Sequence, residues 1–270
     1  DLGANYGGWD AWAALLSEAD GKPQWVVRYG EDGDDCFSLI LPQYDHWTLV
    51  GELGTAASDE EAASAQPAVV TLDSSGAITR EQTLGGDGRS ALVTALETEP
   101  GWLLAGQTNA SSALMPLSHG GMDVWALLLR QSGSVSWQRT YGGSRDESIV
   151  STLPASAGGY LYLAETQSGD GQVTGGHGAK DVWVMKVTAL GSLEWQQTLG
   201  GSRVSTAAGI VEDGAGGYLV AGSSAAQDGD IGWHTSLTTG FLARLAANGN
   251  LLSMELIGDA EEFHAVQLAR

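Results

Sequence analysis

Short apolar runs alternate with glycine- and aspartate-rich polar segments along the whole chain, and the runs fall into pairs. Val182 to Val187 and Leu193 to Leu199 flank a turn at Gly191, and Ala207 to Val211 and Tyr218 to Gly222 flank the polar segment Glu212 to Gly217. The second kind of pair recurs at Phe37 to Leu41 with Trp47 to Gly51, at Leu92 to Leu96 with Trp102 to Gly106, and at Ile149 to Leu153 with Tyr160 to Ala164. Runs this short, rich in β-branched and aromatic residues and bounded by glycine turns, predict β-hairpins. The chain is therefore expected to be all-β.

The hairpins recur with a fixed interval. DVWALLLRQSGSVSWQRTYGGS (123–144) and DVWVMKVTALGSLEWQQTLGGS (181–202) match almost position for position, and weaker copies begin at Asp10, Gln66 and Thr239. The closing glycines Gly30, Gly85, Gly142, Gly200 and Gly258 are spaced 55, 57, 58 and 58 residues apart, a period of about 57. A period of this size marks units that bury their apolar faces only by stacking on one another. Each unit reads as four strands: a after the Gly-Gly pair, b carrying the aromatic-Leu run, c opening with Asp-Val-Trp, and d with the second Trp.

Four-stranded units stacked around an axis predict one domain over 1–270, a five-bladed β-propeller of antiparallel blades. The chain opens on strands c and d and ends on an a-like run, Glu262 to Ala269, so the termini are expected to share the closing blade. Five full periods need about 285 residues, some 15 more than the 270 present, which leaves that blade one strand short or the native chain longer.

Thirty-three acidic against 12 basic residues give a net charge of -21, which argues against nucleic-acid or anionic-membrane partners. No run approaches the length of a membrane helix, and the stretch from Asp1 lacks the charged-then-apolar pattern of a leader, so any signal peptide is expected to have been removed. The single cysteine, Cys36, lies among acids that raise a thiol pKa, so it is expected to be a buried structural residue.

Gly142-Gly143-Ser144, Gly158-Gly159-Tyr160-Leu161, Gly176-His177-Gly178 before Asp181-x-Trp183, and Gly191 before Trp195 together resemble the propeller repeats of secreted and surface-attached bacterial proteins, and more distantly kelch repeats. The resemblance covers the whole chain. It implies an extracellular, cell-surface or periplasmic setting and a binding or structural role, and is nearly silent on chemistry.

Candidate site residues follow from the loops. Six tryptophans (Trp12, Trp25, Trp125, Trp137, Trp183, Trp195) hold repeated positions and are expected in the core, whereas Trp9 and Trp233 fall outside the pattern and are candidates for stacking on a sugar or a partner, with His234 beside the latter. Arg89, Arg145 and Arg203 recur after the Gly-Gly pairs and are expected either to pair with acids or to form a small anion site. Asp32, Asp34, Asp170, Asp228 and Asp230 lie in Asp-Gly segments with the oxygen chemistry of a calcium loop, without the full twelve-residue pattern. His119 and His177, equivalent in the repeat, are expected to tie their loops to Asp123 and Asp181.

No nucleophile elbow, zinc-protease motif or phosphate loop is present. The reading that follows is a non-catalytic extracellular or envelope module, part of a larger surface assembly, with no cofactor beyond calcium. The alternatives are a carbohydrate-binding lectin and a glycoside hydrolase using a loop-face carboxylate pair.

Overall fold

A computed structural model describes residues 8–30, 33–55, 66–111, 118–235 and 237–258. Among these there is no helix, and thus none long and apolar enough to cross a membrane. Eighteen strands are present: β1 (Ala11–Leu16), β2 (Pro23–Tyr29), β3 (Asp34–Pro42), β4 (His46–Thr55), β5 (Gln66–Asp73), β6 (Ile78–Thr83), β7 (Ser90–Thr98), β8 (Gly101–Thr108), β9 (Asp123–Arg130), β10 (Val135–Tyr141), β11 (Glu147–Pro154), β12 (Tyr160–Thr166), β13 (Asp181–Val187), β14 (Leu193–Leu199), β15 (Ser205–Glu212), β16 (Tyr218–Ser224), β17 (Thr239–Leu245) and β18 (Leu251–Ile257).

They form one two-stranded sheet, β1-β2, and four four-stranded sheets: β3-β4-β5-β6, β7-β8-β9-β10, β11-β12-β13-β14 and β15-β16-β17-β18. Every hairpin read from the hydrophobic pattern lies inside one of these pairs. The a-like run Glu262 to Ala269 lies outside the described residues.

The chain divides into two compact units, Asp1–Ala95 with Thr108–Leu117, and Leu96–Gln107 with Ser118–Arg270. In the first, Ala13 and Tyr29 of the two-stranded sheet pack with Leu49, Leu53, Ala68, Val70 and Leu72 of the next sheet. In the second, two cores are built the same way. Trp183 and Met185 on β13 pack with Leu103, Val124, Ala126 and Tyr162, and Phe241 and Ala243 on β17 pack with Leu161, Leu163, Val182 and Val184. Alternation along each strand sends successive residues to opposite faces, so β12 and β13 each serve both of these cores.

A repeated contact links neighbouring sheets within each unit. The indole of Trp25 donates to Ser74 O at 3.2 Å and that of Trp137 to Ala189 O at 3.1 Å, in each case two residues before a turn glycine. That glycine must be bare: a methyl carbon on Gly76 would lie 2.7 Å from the Trp25 ring, and one on Gly191 2.9 Å from the Trp137 ring. Both have positive φ, 83° and 77°, which only glycine adopts cheaply. Trp195 meets Gly249 likewise, but its buried Nε1 has no acceptor.

Two expectations are corrected. Trp12 is 59% exposed, although Trp125 and Trp183 at its repeat position are fully buried. Cys36 is exposed, because the alternation of β3 turns Asp35 inward and Cys36 outward; what burial the thiol has raises its pKa.

Candidate functional site

The candidate residues cluster where each Gly-Gly pair meets the start of strand c. Asp123 and Asp181, fully buried, accept the backbone N–H of His119 and His177 through Oδ2, at 2.6 Å in both copies. The imidazole adds a second tie: His119 Nδ1 is 3.2 Å from Asp123 Oδ2, and His177 lies 3.7 Å from Asp181 and 3.6 Å from Asp230. The other oxygen, Oδ1, packs against Gly142 or Gly200, where any side chain would collide with it. Both Oδ1 atoms are buried without a hydrogen-bond partner.

The same latch recurs with other residues. A methyl carbon on Gly30 would lie 2.9 Å from Asp10 Oδ1, and one on Gly85 2.6 Å from Gln66 Oε1; Thr239 donates to Gly258 O at 3.2 Å. The first glycine of the pair is thus demanded by the residue that opens strand c, which accounts for the period being so regular at that position.

The second glycine is demanded by the long loop between strands b and c. Asp170 Oδ1 accepts the Ser144 N–H at 2.8 Å and Asp228 Oδ1 the Ser202 N–H at 2.7 Å. Gln172 N then donates to Gly142 O and Asp230 N to Gly200 O, at 3.0 and 2.9 Å, around glycines with φ of 63° and 62°. Val173 and Ile231, one residue on, drop into the two cores. Asp-Gly-x-aliphatic is therefore a clasp: a carboxylate caps the turn and an apolar residue plugs the core. Those backbone N–H bonds hold the Asp170 and Asp228 carboxyls below the usual carboxylate range.

The residues read as calcium candidates thus serve as local acceptors. Asp34 accepts the Trp9 N–H at 2.8 Å, Asp230 faces His177, and Asp32 lies outside the described residues. Among the described residues no three His, Cys, Asp or Glu side chains converge as metal ligands.

Arg89, Arg145 and Arg203 point to solvent, and no ion pair holds any of them among the described residues. Their backbones are fixed instead: Arg89 N donates to Asn109 Oδ1 and Arg145 N to Ser168 Oγ. Arg145 lines an open polar depression of about 300 Å³ with Ser144, Gln167 and Asp170. Next to it, across Gln167, Met122, Glu147, Glu165 and Lys180 line one of about 220 Å³, in which Lys180 Nζ meets Glu165 at 2.6 Å.

Glu147 is buried, accepting from Thr166 Oγ1 at 2.6 Å and Gly143 N at 2.9 Å. Burial pushes its carboxyl pKa up, offset in part by those two bonds and reinforced by the Asp123 charge. Asp123 and Glu147 converge on Gly142, where a methyl carbon would lie 2.0 Å from Asp123 Oδ1 and 2.3 Å from Glu147 Oε2.

Trp9 is 79% exposed and Trp233 76%. Trp9 holds a repeat position after all: its carbonyl accepts from Asp35 N as that of Met122 accepts from Glu147 N and that of Lys180 from Ser205 N. The signal was its place directly before Asp10, matching Met122 before Asp123. Trp233 stands on the long loop next to His234, which is buried and tied through Nε2 to Ala226 O at 2.6 Å. Leu237 on that loop is 77% exposed.

No family model matches the chain, and no curated protein does. Among solved structures it is similar to the acylaminoacyl peptidase of Pyrococcus horikoshii, at 10% identity and a TM-score of 0.42 over 83% of this chain. The chain spans about a third, 32%, of that one, and a likeness at this level carries no argument about fold or chemistry here.

Proposed function

We propose that the chain is a five-bladed β-propeller that acts as a non-catalytic interaction or structural module, in an extracellular or envelope setting and within a larger surface assembly. Five sheets that each carry a latch at the same place, and three tryptophan–glycine contacts between neighbouring sheets within the units, support the propeller reading, since such sheets stack by repetition. The exposure of Trp233 and Leu237 on a loop pinned by Asp228 and Ile231 carries the functional reading. Large apolar side chains held out to solvent on a rigid support are what a partner surface uses as anchors. The carboxylates of Asp34, Asp170 and Asp228, in contrast, each accept a backbone N–H.

The test is sizing and cross-linking of the protein from its native source. Co-elution in a stoichiometric complex that Trp233→Ala weakens by tenfold or more is the expected result, and a monomer in every native extract removes the reading. The second reading, glycan binding, draws on the polar depression beside Arg145 and Asp170. It predicts sugar-dependent quenching of tryptophan fluorescence that Trp9→Ala or Trp233→Ala abolishes.

A further inference from the structure

The depression beside Arg145 has a counterpart one repeat later, built on the same frame and filled. Gly200 follows Gly142 by 58 residues, and at that offset Arg203, Ala225, Ala226, Gln227, Asp228 and His234 stand where Arg145, Gln167, Ser168, Gly169, Asp170 and Gly176 stand in the first copy. The arginine and the aspartate are shared, and each aspartate accepts the N–H of the serine before the arginine. The other four positions change together. In the later copy Gln227 Nε2 donates to His234 O at 2.8 Å and His234 Nε2 lies 2.6 Å from Ala226 O, so side chains span the gap between the two arms of the loop. In the earlier copy both spanning residues are glycine, and the gap is the open depression of about 300 Å³. A methyl carbon on Gly169 would meet nothing within 4 Å.

Where bulk has gone, polar groups have entered. Ser168 is buried and accepts Arg145 N at 2.9 Å, which fixes the arginine at the rim; Ala226 offers Arg203 no such hydroxyl. The guanidinium of Arg145 and the side-chain amide of Gln167 make no hydrogen bond or ion pair among the described residues. Folding therefore uses neither group, and both line a hollow that two glycines keep clear.

We propose that this depression binds one sugar unit carrying a carboxylate, a uronate, with Arg145 on the carboxylate and Gln167 and Asp170 on ring hydroxyls. This rests on the glycan reading of the same depression. A guanidinium holds a planar carboxylate through two parallel N–H donors, a geometry that no other side chain in the lining offers. A hydroxyl both donates and accepts, so it serves the Gln167 amide and the Asp170 carboxylate alike, whereas the lining has no apolar side chain to receive a hydrophobic ligand. Asp170 sets the limit on charge: beside that carboxylate, on a chain of net charge -21, a phosphate with its second charge is repelled more strongly than a carboxylate. The volume is at the small end of the ~300 to 1,000 Å³ of small-molecule sites, which suits a single unit.

The test is titration of the full chain with glucuronate, glucose and acetate, followed by calorimetry and by amide NMR shifts at Ser144, Arg145 and Gln167. Glucuronate is expected to shift these amides and to bind more tightly than either glucose or acetate, by about tenfold, the value of one charge-assisted contact. Arg145→Gln should bring glucuronate down to the level of glucose. Gly169→Gln, which copies Gln227 into open space, should abolish binding of both sugars, and Arg203→Gln should change nothing. Unchanged urea midpoints verify that the variants fold.

Glucose binding as well as glucuronate, or Arg145→Gln without effect, overturns the acidic-sugar assignment and leaves the glycan reading standing. Acetate binding as tightly as glucuronate overturns it too, since the hydroxyls would then contribute nothing. Silence of the three amides with every sugar also overturns it; the glycan reading then survives only if sugars still quench tryptophan fluorescence in a manner that Trp9→Ala or Trp233→Ala abolishes.

Discussion

Asp123 and Asp181 open strands that are nearly identical in sequence and make the same bond to a histidine N–H, yet they sit in different electrostatic surroundings. Gly142 lies between Asp123 and the buried Glu147, while Gly200 meets Asp181 alone, because the residue at the Glu147 position is Ser205, bonded to Ser224 at 2.8 Å. The second copy compensates elsewhere: Asp230 replaces Gln172 in the clasp and brings a carboxylate to His177. The backbone latch is thus indifferent to which charges surround it, provided that the glycine is bare. Geometry is the conserved design of the repeat here, and charge is the variable added on top.

Substituting the glycines tests this most severely. Gly142→Ala and Gly200→Ala each force a methyl group into a carboxylate and are expected to destabilise the chain by about 3 kcal/mol, at the upper end of overpacking costs. Urea unfolding should rank Gly142→Ala as the worse, since it meets two carboxylates; equal costs would break the comparison.

Removing the latch acid is next. Asp123→Ala and Asp181→Ala each strip the acceptor from a histidine N–H and should cost about 2 kcal/mol. The penalty is softened by the loss of a buried oxygen that had no partner.

A smaller effect separates the two copies by pH. Glu147 has its folded pKa raised above 4.5 by burial, so the folded state holds its proton more tightly than the unfolded chain. Stability from this group is present below about 4.5 and is lost as pH rises through the folded value. Glu147→Gln should flatten that decline and leave neutral-pH stability unchanged or higher. An unaltered pH profile would mean that Glu147 is not the group responsible. Asp181, also raised by burial, should keep its own share of the slope in that variant.

The smallest effect concerns the clasps. Asp170 and Asp228 have lowered pKa values, so their contribution is present at neutral pH and is lost as pH falls through values below 3.8. Asp170→Ala should speed exchange of the Ser144 amide without affecting Ser202, and Asp228→Ala the reverse. A calcium chelator should change neither rate, because each carboxylate is already engaged by backbone; accelerated exchange on chelation would support the cation reading.

Much of this was legible in the chain before any coordinates. The hairpin pattern located β3–β4, β7–β8, β11–β12, β13–β14 and β15–β16, the repeat marked where the weaker copies begin, and the closing glycines marked the positions at which the latch is found. The histidine tie followed from Ser-His-Gly and Gly-His-Gly placing a histidine four residues before the aspartate in two copies. The clasp was open to the same reasoning: Asp170 and Asp228 lie equally far from their Gly-Gly pairs, and Val173 and Ile231 are aliphatic residues three positions after those aspartates in otherwise polar stretches. Asp-Gly read in isolation suggested a cation site, because a short acidic turn looks the same whether its oxygens face a metal or an N–H group.

Trp12 could not be placed from sequence. Its neighbours match those of Trp125 and Trp183, and local pattern sets which face of a strand a side chain takes, so all three were expected in the core. Whether that face is covered depends on what lies beyond the strand's other edge. The sequence by itself determined the strands, their repeat and the bare glycines, since these follow from alternation and steric exclusion within one unit. Only the tertiary structure decided which faces are closed, because burial is a property of neighbours, and the neighbour of β1 is not written into β1.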